Sequence, residues 1–244
     1  MKEWITSRNA AYEILRAGSR EVFRLEIAKG ATVKGRLEEI IRLAEKRKVL
    51  PIQVERSRLD SLDENHQGMA LEASGFHYSD LPDIRNRAAE KQEPLFVLLL
   101  DLIQNPQNLG TLIRTAEAAG MHGIIIPPSR AAGVTPAVTV SSAGATEYIP
   151  IVQLNLSQAI RWLHEQGVWV IGLDGGAESD LADPQKLGGN LAIAVGSEGE
   201  GLRPLTRKQC DQLVRLPMKG RIESLNAASA GSIMIYLSYL IHRQ

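Results

Sequence analysis

Leu191-Ala192-Ile193-Ala194-Val195-Gly196-Ser197-Glu198-Gly199-Glu200-Gly201-Leu202 is the stretch on which the fold turns. Its first five residues form a short, unbroken apolar run bounded by glycines, which predicts a buried strand. The run stops in three glycines at alternate positions, where the backbone can turn sharply and approach a ligand because no Cβ intervenes. Glu198 sits between them, a carboxylate at a strand end. Further on, residues 213–216 predict a second strand running into Pro217-Met218, and Ser224-Leu225-Asn226 opens a long apolar helix. Two strand-end loops and a polar helix entrance make the layout of a binding crevice at the carboxyl ends of parallel strands. Taken alone, the stretch gives only weak support for a ligand site, because most glycine-rich loops after strands in α/β proteins bind nothing. It is neither the dinucleotide fingerprint G-x-G-x-x-G nor a phosphate loop ending in Lys-Ser/Thr.

Upstream, residues 95–100 are a fully apolar run ending at Asp101, and a loop through Asn105-Pro106-Gln107-Asn108 leads into a helix with Leu112, Ile113, Ala116 and Ala119 on its apolar side. Strands follow at 123–126 and 168–173, a segment of small residues at 141–145, and a helix over 157–166. Residues 95–244 therefore predict a mostly parallel sheet covered by helices. The first 74 residues read differently. A helix over 8–17, an alternating strand over 22–27, an amphipathic helix around Leu37, Ile40, Ile41 and Ala44, and strands at 52–54 and 69–73 make a small α+β domain. Polar residues 75–94, with Pro82 and Pro94, read as a linker with at most one helical turn.

Composition narrows the classes. The 244 residues hold 44% hydrophobic residues, enough for an ordinary core. No apolar run is long enough to span a bilayer, and the first residues lack the apolar centre of a signal peptide. Cys210 is the only cysteine, so no internal disulfide forms, and a cytoplasmic location is expected. Lys+Arg and Asp+Glu are both 28, which leaves no bulk electrostatic grip on nucleic acid. RNA binding would need local patches such as Lys46-Arg47-Lys48, or Arg203 with Arg207 and Lys208. Histidines are few and no metal-ligand spacing occurs, so no metal is expected.

Three segments together resemble one family. Asn105-Pro106-x-Asn108-x-Gly110-x-x-x-Arg114, then Gly196-Ser197-Glu198-Gly199-x-Gly201-Leu202, then Leu216-Pro217-Met218 with Ser224-Leu225-Asn226, are similar to the three motifs of the SpoU (TrmH) branch of the SPOUT RNA methyltransferases, in the family's order. The first 74 residues, with His66-Gln67-Gly68, resemble the family's L30e-like substrate-binding domain. The resemblance implies a catalytic domain tied in a trefoil knot, S-adenosylmethionine held by the knotted loops, a homodimer, and methylation of a ribose 2′-hydroxyl. Within the branch, the N-terminal domain and the length most resemble enzymes acting on a guanosine of bacterial 23S rRNA. Two positions depart from the pattern: Ala227-Ala228 follow Asn226 where Val-Ser is usual, and Ser7 precedes Arg8-Asn9 where glycine is usual.

The implied chemistry assigns roles. A ribose hydroxyl is a poor nucleophile and must be oriented and deprotonated. The resemblance gives Arg114 the contact with the target phosphate and the activation of the hydroxyl. A guanidinium is a poor proton acceptor, so orientation and stabilisation of the forming alkoxide is the easier role. Glu198 and Asn108 are expected to orient Arg114 and the loops, with Ser224 and Asn226 as nearby polar partners. Taken singly, Asn108 and Asn226 read as helix caps and Glu198 as a solvent-facing loop acid. The cofactor is expected at backbone groups of Gly196, Leu216 and Leu225, beside Met218 and Gly172, where an apolar slot suits an adenine. His66 is a candidate RNA contact, although a polar turn is the simpler reading. Three alternatives remain: the same reaction on a tRNA ribose, a non-catalytic RNA-binding assembly factor on the same fold, and a Rossmann oxidoreductase. The last is disfavoured by the missing fingerprint.

Overall fold

The computed structural model describes residues 2–179, 187–221 and 224–242. Their contacts divide into two units, Met1–His77 with Val134–Tyr148, and Tyr78–Gly133 with Ile149–Gln244.

The first unit runs β1 (Lys2–Ile5), α1 (Arg8–Ala17), β2 (Val22–Ala28), α2 (Arg36–Lys46), β3 (Pro51–Val54), α3 (Arg56–Asp60) and β4 (Met69–Ser74). Its four-stranded sheet has the order β1-β4-β2-β3, antiparallel except for the β2–β3 pair. Amphipathic α1 and α2 bury Ile14, Leu15, Leu37 and Ile40 against Leu25, Ile27 and Leu71. Strand β1 and helix α3 were not expected from the sequence.

The second unit begins with α4 (Leu81–Lys91) and β5 (Phe96–Asp101), followed by α5 (Pro106–Ala118) and β6 (Gly123–Ile126). The chain then gives α6 (Pro136–Ser141) to the first unit. It resumes the second with β7 (Ile151–Gln153), α7 (Leu156–Glu165), β8 (Trp169–Leu173), β9 (Leu191–Gly196), α8 (Pro204–Gln209), β10 (Gln212–Val214) and α9 (Ala227–His242). The six-stranded sheet is parallel throughout, in the order β10-β8-β9-β5-β6-β7. Its central strands β5 and β9 are buried along their whole length, as their continuous apolar runs require.

Residues 75–94, expected to be a linker, contain the three-turn helix α4. A capping box between Asp80 and Asp83 starts it, and Ile84 and Ala88 are buried. Ile84 packs so closely on β6 that a Cβ on Gly123 would lie 2.4 Å from it.

The small-residue segment at 141–145 also serves an unexpected partner. Ala143 and Gly144 both have left-handed backbones, and a Cβ on Gly144 would lie 2.6 Å from the Cβ of Glu13 on α1. Beside it, Glu147 takes hydrogen bonds from Arg20 Nη2 (2.7 Å) and Nε (3.1 Å), while Arg20 Nη1 donates to Glu3 (3.0 Å). Arg20 is buried, so this network replaces the water that a cation would otherwise keep.

Candidate active site

The order of the parallel sheet reverses direction at β5. Strands β6 and β7 lie on one side of it, and β9, β8 and β10 on the other. A parallel sheet opens a crevice at the carboxyl end of such a point. Here that end is formed by Asp101 and Gly196, which lie opposite each other in register. The loop after Gly196 folds back at once: Ser197 and Gly201 exchange backbone hydrogen bonds of 3.1 and 3.0 Å. Gly199 and Gly201 supply left-handed backbones (φ 89° and 67°). Gly196 meets a different demand, because a Cβ there would fall 2.1 Å from the carbonyl carbon of Gly201.

All three sequence motifs meet at this loop. Asn108 Nδ2 donates to Glu198 Oε1 at 2.7 Å, Asn226 Nδ2 donates to Asn108 Oδ1 at 3.2 Å, and Asn226 Nδ2 also donates to Glu198 Oε1. Asn108 is not a helix cap. Asn105 fills that position, accepting from the Gln107 amide at 2.8 Å, which frees the Asn108 side chain for the network. Asn226 does both jobs. Its Oδ1 caps α9 by accepting from the amides of Ala228 (2.9 Å) and Ser229 (3.2 Å), while its amide group holds Glu198. A carboxylate gripped by two amides is fixed in orientation.

Arg114 stands apart. It is exposed on α5 and makes no hydrogen bond or ion pair with Glu198 or Asn108 among the described residues. The helix explains this: six residues place Arg114 about 9 Å along the axis and about 120° around it from Asn108. Within this chain Glu198 and Asn108 are bonded instead to Asn226 and to each other.

Next to the network lies a cavity of about 1100 Å³, lined by Gly196, Glu198, Leu216, Met218, Ser224, Leu225 and Asn226 among others. Met218 and Leu225 are 40% and 41% exposed, apolar surface that a ligand would cover. Asp174, paired with Arg207 at 3.2 Å, lines the same cavity and was not foreseen. Gly172 does not line it; the neighbouring Leu173 does. A Cβ on Gly172 would meet Leu202, Leu213 and Cys210 within 2.9 Å, so this glycine serves packing. Burial pushes the Cys210 thiol up to about 12, helped by the charges of Asp211, Asp101 and Asp174, and it offers no nucleophile. Among the described residues no cluster of histidine, cysteine and carboxylates could hold a metal, and no helix is long and apolar enough to cross a membrane.

In the first unit, His66 is buried and is no surface contact. Its Nδ1 accepts from the Gly68 amide (2.9 Å), which leaves the proton on Nε2, facing Asp60 at 3.0 Å. Its neighbour Gln67 is exposed and clasps the start of α1: Gln67 Oε1 accepts from the Arg8 amide and its carbonyl accepts from Arg8 Nε. The two basic patches are also partly committed. Arg47 donates to the Leu15 carbonyl at the end of α1, Arg203 to Asp101, and Arg207 to Asp174.

Comparison with known proteins places this arrangement. A model of the SpoU rRNA Methylase family matches residues 95–236, more than half of the chain. The chain belongs to the SpoU rRNA methylase family. A second model, RNA 2′-O ribose methyltransferase substrate binding, matches residues 7–79 of this SpoU protein. A Bacillus subtilis (strain 168) protein, YacO, assigned to the TrmH family of tRNA/rRNA methyltransferases, is 38% identical over 241 residues, covering 97% of this chain and 95% of its own. Among solved structures, the AdoMet-bound rRNA methyltransferase from Sinorhizobium meliloti superimposes with a TM-score of 0.77 at 25% identity, over 97% of this chain and 86% of that one. The SpoU methyltransferase AviRb from Streptomyces viridochromogenes, in complex with AdoMet, gives 0.80 at 24% identity, over 98% and 89%, and shows the shared fold. The SpoU chain is thus an RNA methyltransferase of the TrmH/SpoU family, with an α/β catalytic fold and an N-terminal substrate-binding domain.

Proposed function

We propose that this protein transfers the methyl group of S-adenosylmethionine to the ribose 2′-hydroxyl of a guanosine in 23S rRNA, acting as a cytoplasmic homodimer. The observation that carries the reading is the Asn108–Glu198–Asn226 network, which joins all three motifs at the edge of the cavity.

The cavity suits the cofactor. It combines exposed apolar side chains for an adenine with carboxylates at Asp174, Glu198 and Glu200 that complement a cation. When bound, S-adenosylmethionine supplies an electrophilic methyl group on a sulfonium. The residues of the chain then do the positioning. Gly196, Leu216 and Leu225 form the wall against the cofactor, with Met218 over it. Asn108 and Asn226 hold Glu198 still, and Ser224 adds a polar group at the rim. Arg114 binds the target phosphate and stabilises the developing alkoxide. The reading includes the trefoil threading that the family resemblance implies for the loops after β9 and β10.

Arg114 lies outside the residues that line the cavity, so a second copy of the chain gives its guanidinium a place in a complete site. Helix α9 offers a face for that copy. Ile233, Tyr236 and Leu240 are 42%, 45% and 54% exposed at helical spacing, whereas Met234 and Ile235 are buried. The substrate-binding match over residues 7–79 supports an RNA target, and the alignment of the Sinorhizobium meliloti rRNA methyltransferase over 97% of this chain favours rRNA.

Incubation with labelled S-adenosylmethionine and 23S rRNA fragments, with tRNA in parallel, tests the assignment. Label entering one guanosine of 23S rRNA is expected. Label entering tRNA alone would replace the substrate, and label entering neither would reject the function.

A further inference from the structure

Asp101 ends β5 and is fully buried, at 0% exposure. A buried carboxylate needs partners built for it, and here one residue supplies them. Asp101 Oδ2 accepts from the Arg203 backbone amide at 2.9 Å, and Oδ1 accepts from Arg203 Nε at 2.6 Å. Asp101 also lies opposite Gly196 in the sheet. The loop from Gly196 to Arg203 is therefore held at both ends against the same residue. Its start is paired with Asp101 through the sheet, and its end is clamped by the carboxylate. Between the two ends stands Glu198, which accepts hydrogen bonds from Asn108 and Asn226. Neither Asp101 nor Arg203 lines the cavity.

We infer that Asp101 is a positioning residue for methyl transfer: through Arg203 it sets the placement of the Gly196–Leu202 loop, and with it Glu198 and one wall of the cofactor cavity. The inference rests on the function proposed above. A buried ion pair is weak evidence for stability, since apolar residues of similar volume often serve as well. What an apolar pair cannot reproduce is a carboxylate that takes the amide and the side chain of one residue at once. That arrangement fixes both the position and the direction of the chain at residue 203.

Hydrogen-bond direction gives the test. In Asp101→Asn, one of the two acceptors becomes an NH₂ group facing an Arg203 donor. In Arg203→Gln, the side-chain amide reaches the place of Arg203 Nε and turns its NH₂ to the carboxylate, so a donor is kept and only the positive charge is lost. Asp101→Asn thus sets a donor against a donor, whereas Arg203→Gln alone keeps the direction of the bond. The double variant Asp101→Asn with Arg203→Gln restores a donor–acceptor pair with its direction reversed and no charge. Two readouts are taken on the full chain: amide exchange at Ser197, Gly201 and Arg203, and affinity for S-adenosylmethionine. Asp101→Asn is expected to speed exchange at the three amides and raise the Kd about tenfold, the scale of one lost charge-assisted hydrogen bond. The double variant should bind within about threefold of the wild type, and tighter than Asp101→Asn. A general loss of stability would lower the thermal midpoint without such rescue. Unchanged exchange or an unchanged Kd in Asp101→Asn overturns the inference, and so does a double variant no better than Asp101→Asn. Wild-type protein that binds no S-adenosylmethionine would defeat the proposed function, and the exchange readout would then decide the clamp by itself.

Discussion

Gly196→Ala is the smallest change that should disable the cofactor wall. The added Cβ would lie 2.1 Å from the Gly201 carbonyl carbon, 2.3 Å from its oxygen and 2.4 Å from the Leu202 nitrogen. All three are backbone atoms, so no side chain can swing away. To reach an ordinary contact of about 3.4 Å, the Gly201–Leu202 backbone must withdraw by about 1.3 Å. That movement breaks the paired Ser197–Gly201 hydrogen bonds, now 3.1 and 3.0 Å long. Two backbone hydrogen bonds at about 1 kcal/mol each amount to about 2 kcal/mol, or about 30-fold in affinity. Gly199→Ala is the control. Nothing lies within 4 Å of its Cβ position, and only the left-handed backbone (φ 89°) opposes the change. That costs about 1 kcal/mol, or about fivefold. Calorimetric titration of each folded variant with S-adenosylmethionine measures both. Gly196→Ala binding like the wild type, or Gly199→Ala weaker than Gly196→Ala, would refute the reasoning.

Arg114→Ala should leave cofactor affinity near normal, because Arg114 is not among the cavity-lining residues, while kcat falls by orders of magnitude at saturating RNA. Arg114→Lys should rescue poorly, since a point charge cannot span phosphate and hydroxyl; near-normal kcat in the lysine variant would refute the role. His122 titrates below its ordinary value, chiefly through burial, although its hydrogen bond to Glu93 works the other way. The unfolded chain then takes up a proton that the folded chain refuses as pH falls below about 6.5, so stability declines there by up to ~1.4 kcal/mol per pH unit. His122→Asn keeps an acceptor for the Phe96 amide, now bonded to Nδ1 at 3.0 Å, and its thermal midpoint should fall less between pH 7 and 5. Parallel curves would contradict this. Sedimentation should give a dimer at micromolar concentration and a monomer for Tyr236→Glu; a monomeric wild type counts against the shared site.

Much of the catalytic sheet was legible because β5 and β9 are buried on both faces, which forces unbroken apolar runs. The motifs were legible because glycine, proline and asparagine mark special backbone positions. Strand β1 was not, since Lys2-Glu3-Trp4-Ile5 has no period of its own and is held by pairing with β4. Helix α4 had a readable start in Asp80 and Asp83, yet its polar composition hid it behind a linker reading. Long-range pairs left no local trace. Arg20 meets Glu147 across 127 positions, and Asp101 meets Arg203 across 102, so neither the packing of the 134–148 segment nor the clamp under the glycine loop follows from spacing. The packing demand at Gly172 also left no local trace: the side chains that require a glycine there come from Leu202, Cys210 and Leu213.

The central claim is transfer of a methyl group to a ribose hydroxyl rather than to a base. Alkaline hydrolysis needs a free 2′-hydroxyl, so a nucleotide methylated there survives as an alkali-resistant dinucleotide. RNA labelled by the wild-type protein and S-adenosylmethionine should carry its label in such dinucleotides, with 2′-O-methylguanosine as the labelled nucleoside. Label recovered in mononucleotides would place the methyl group on a base and contradict the account.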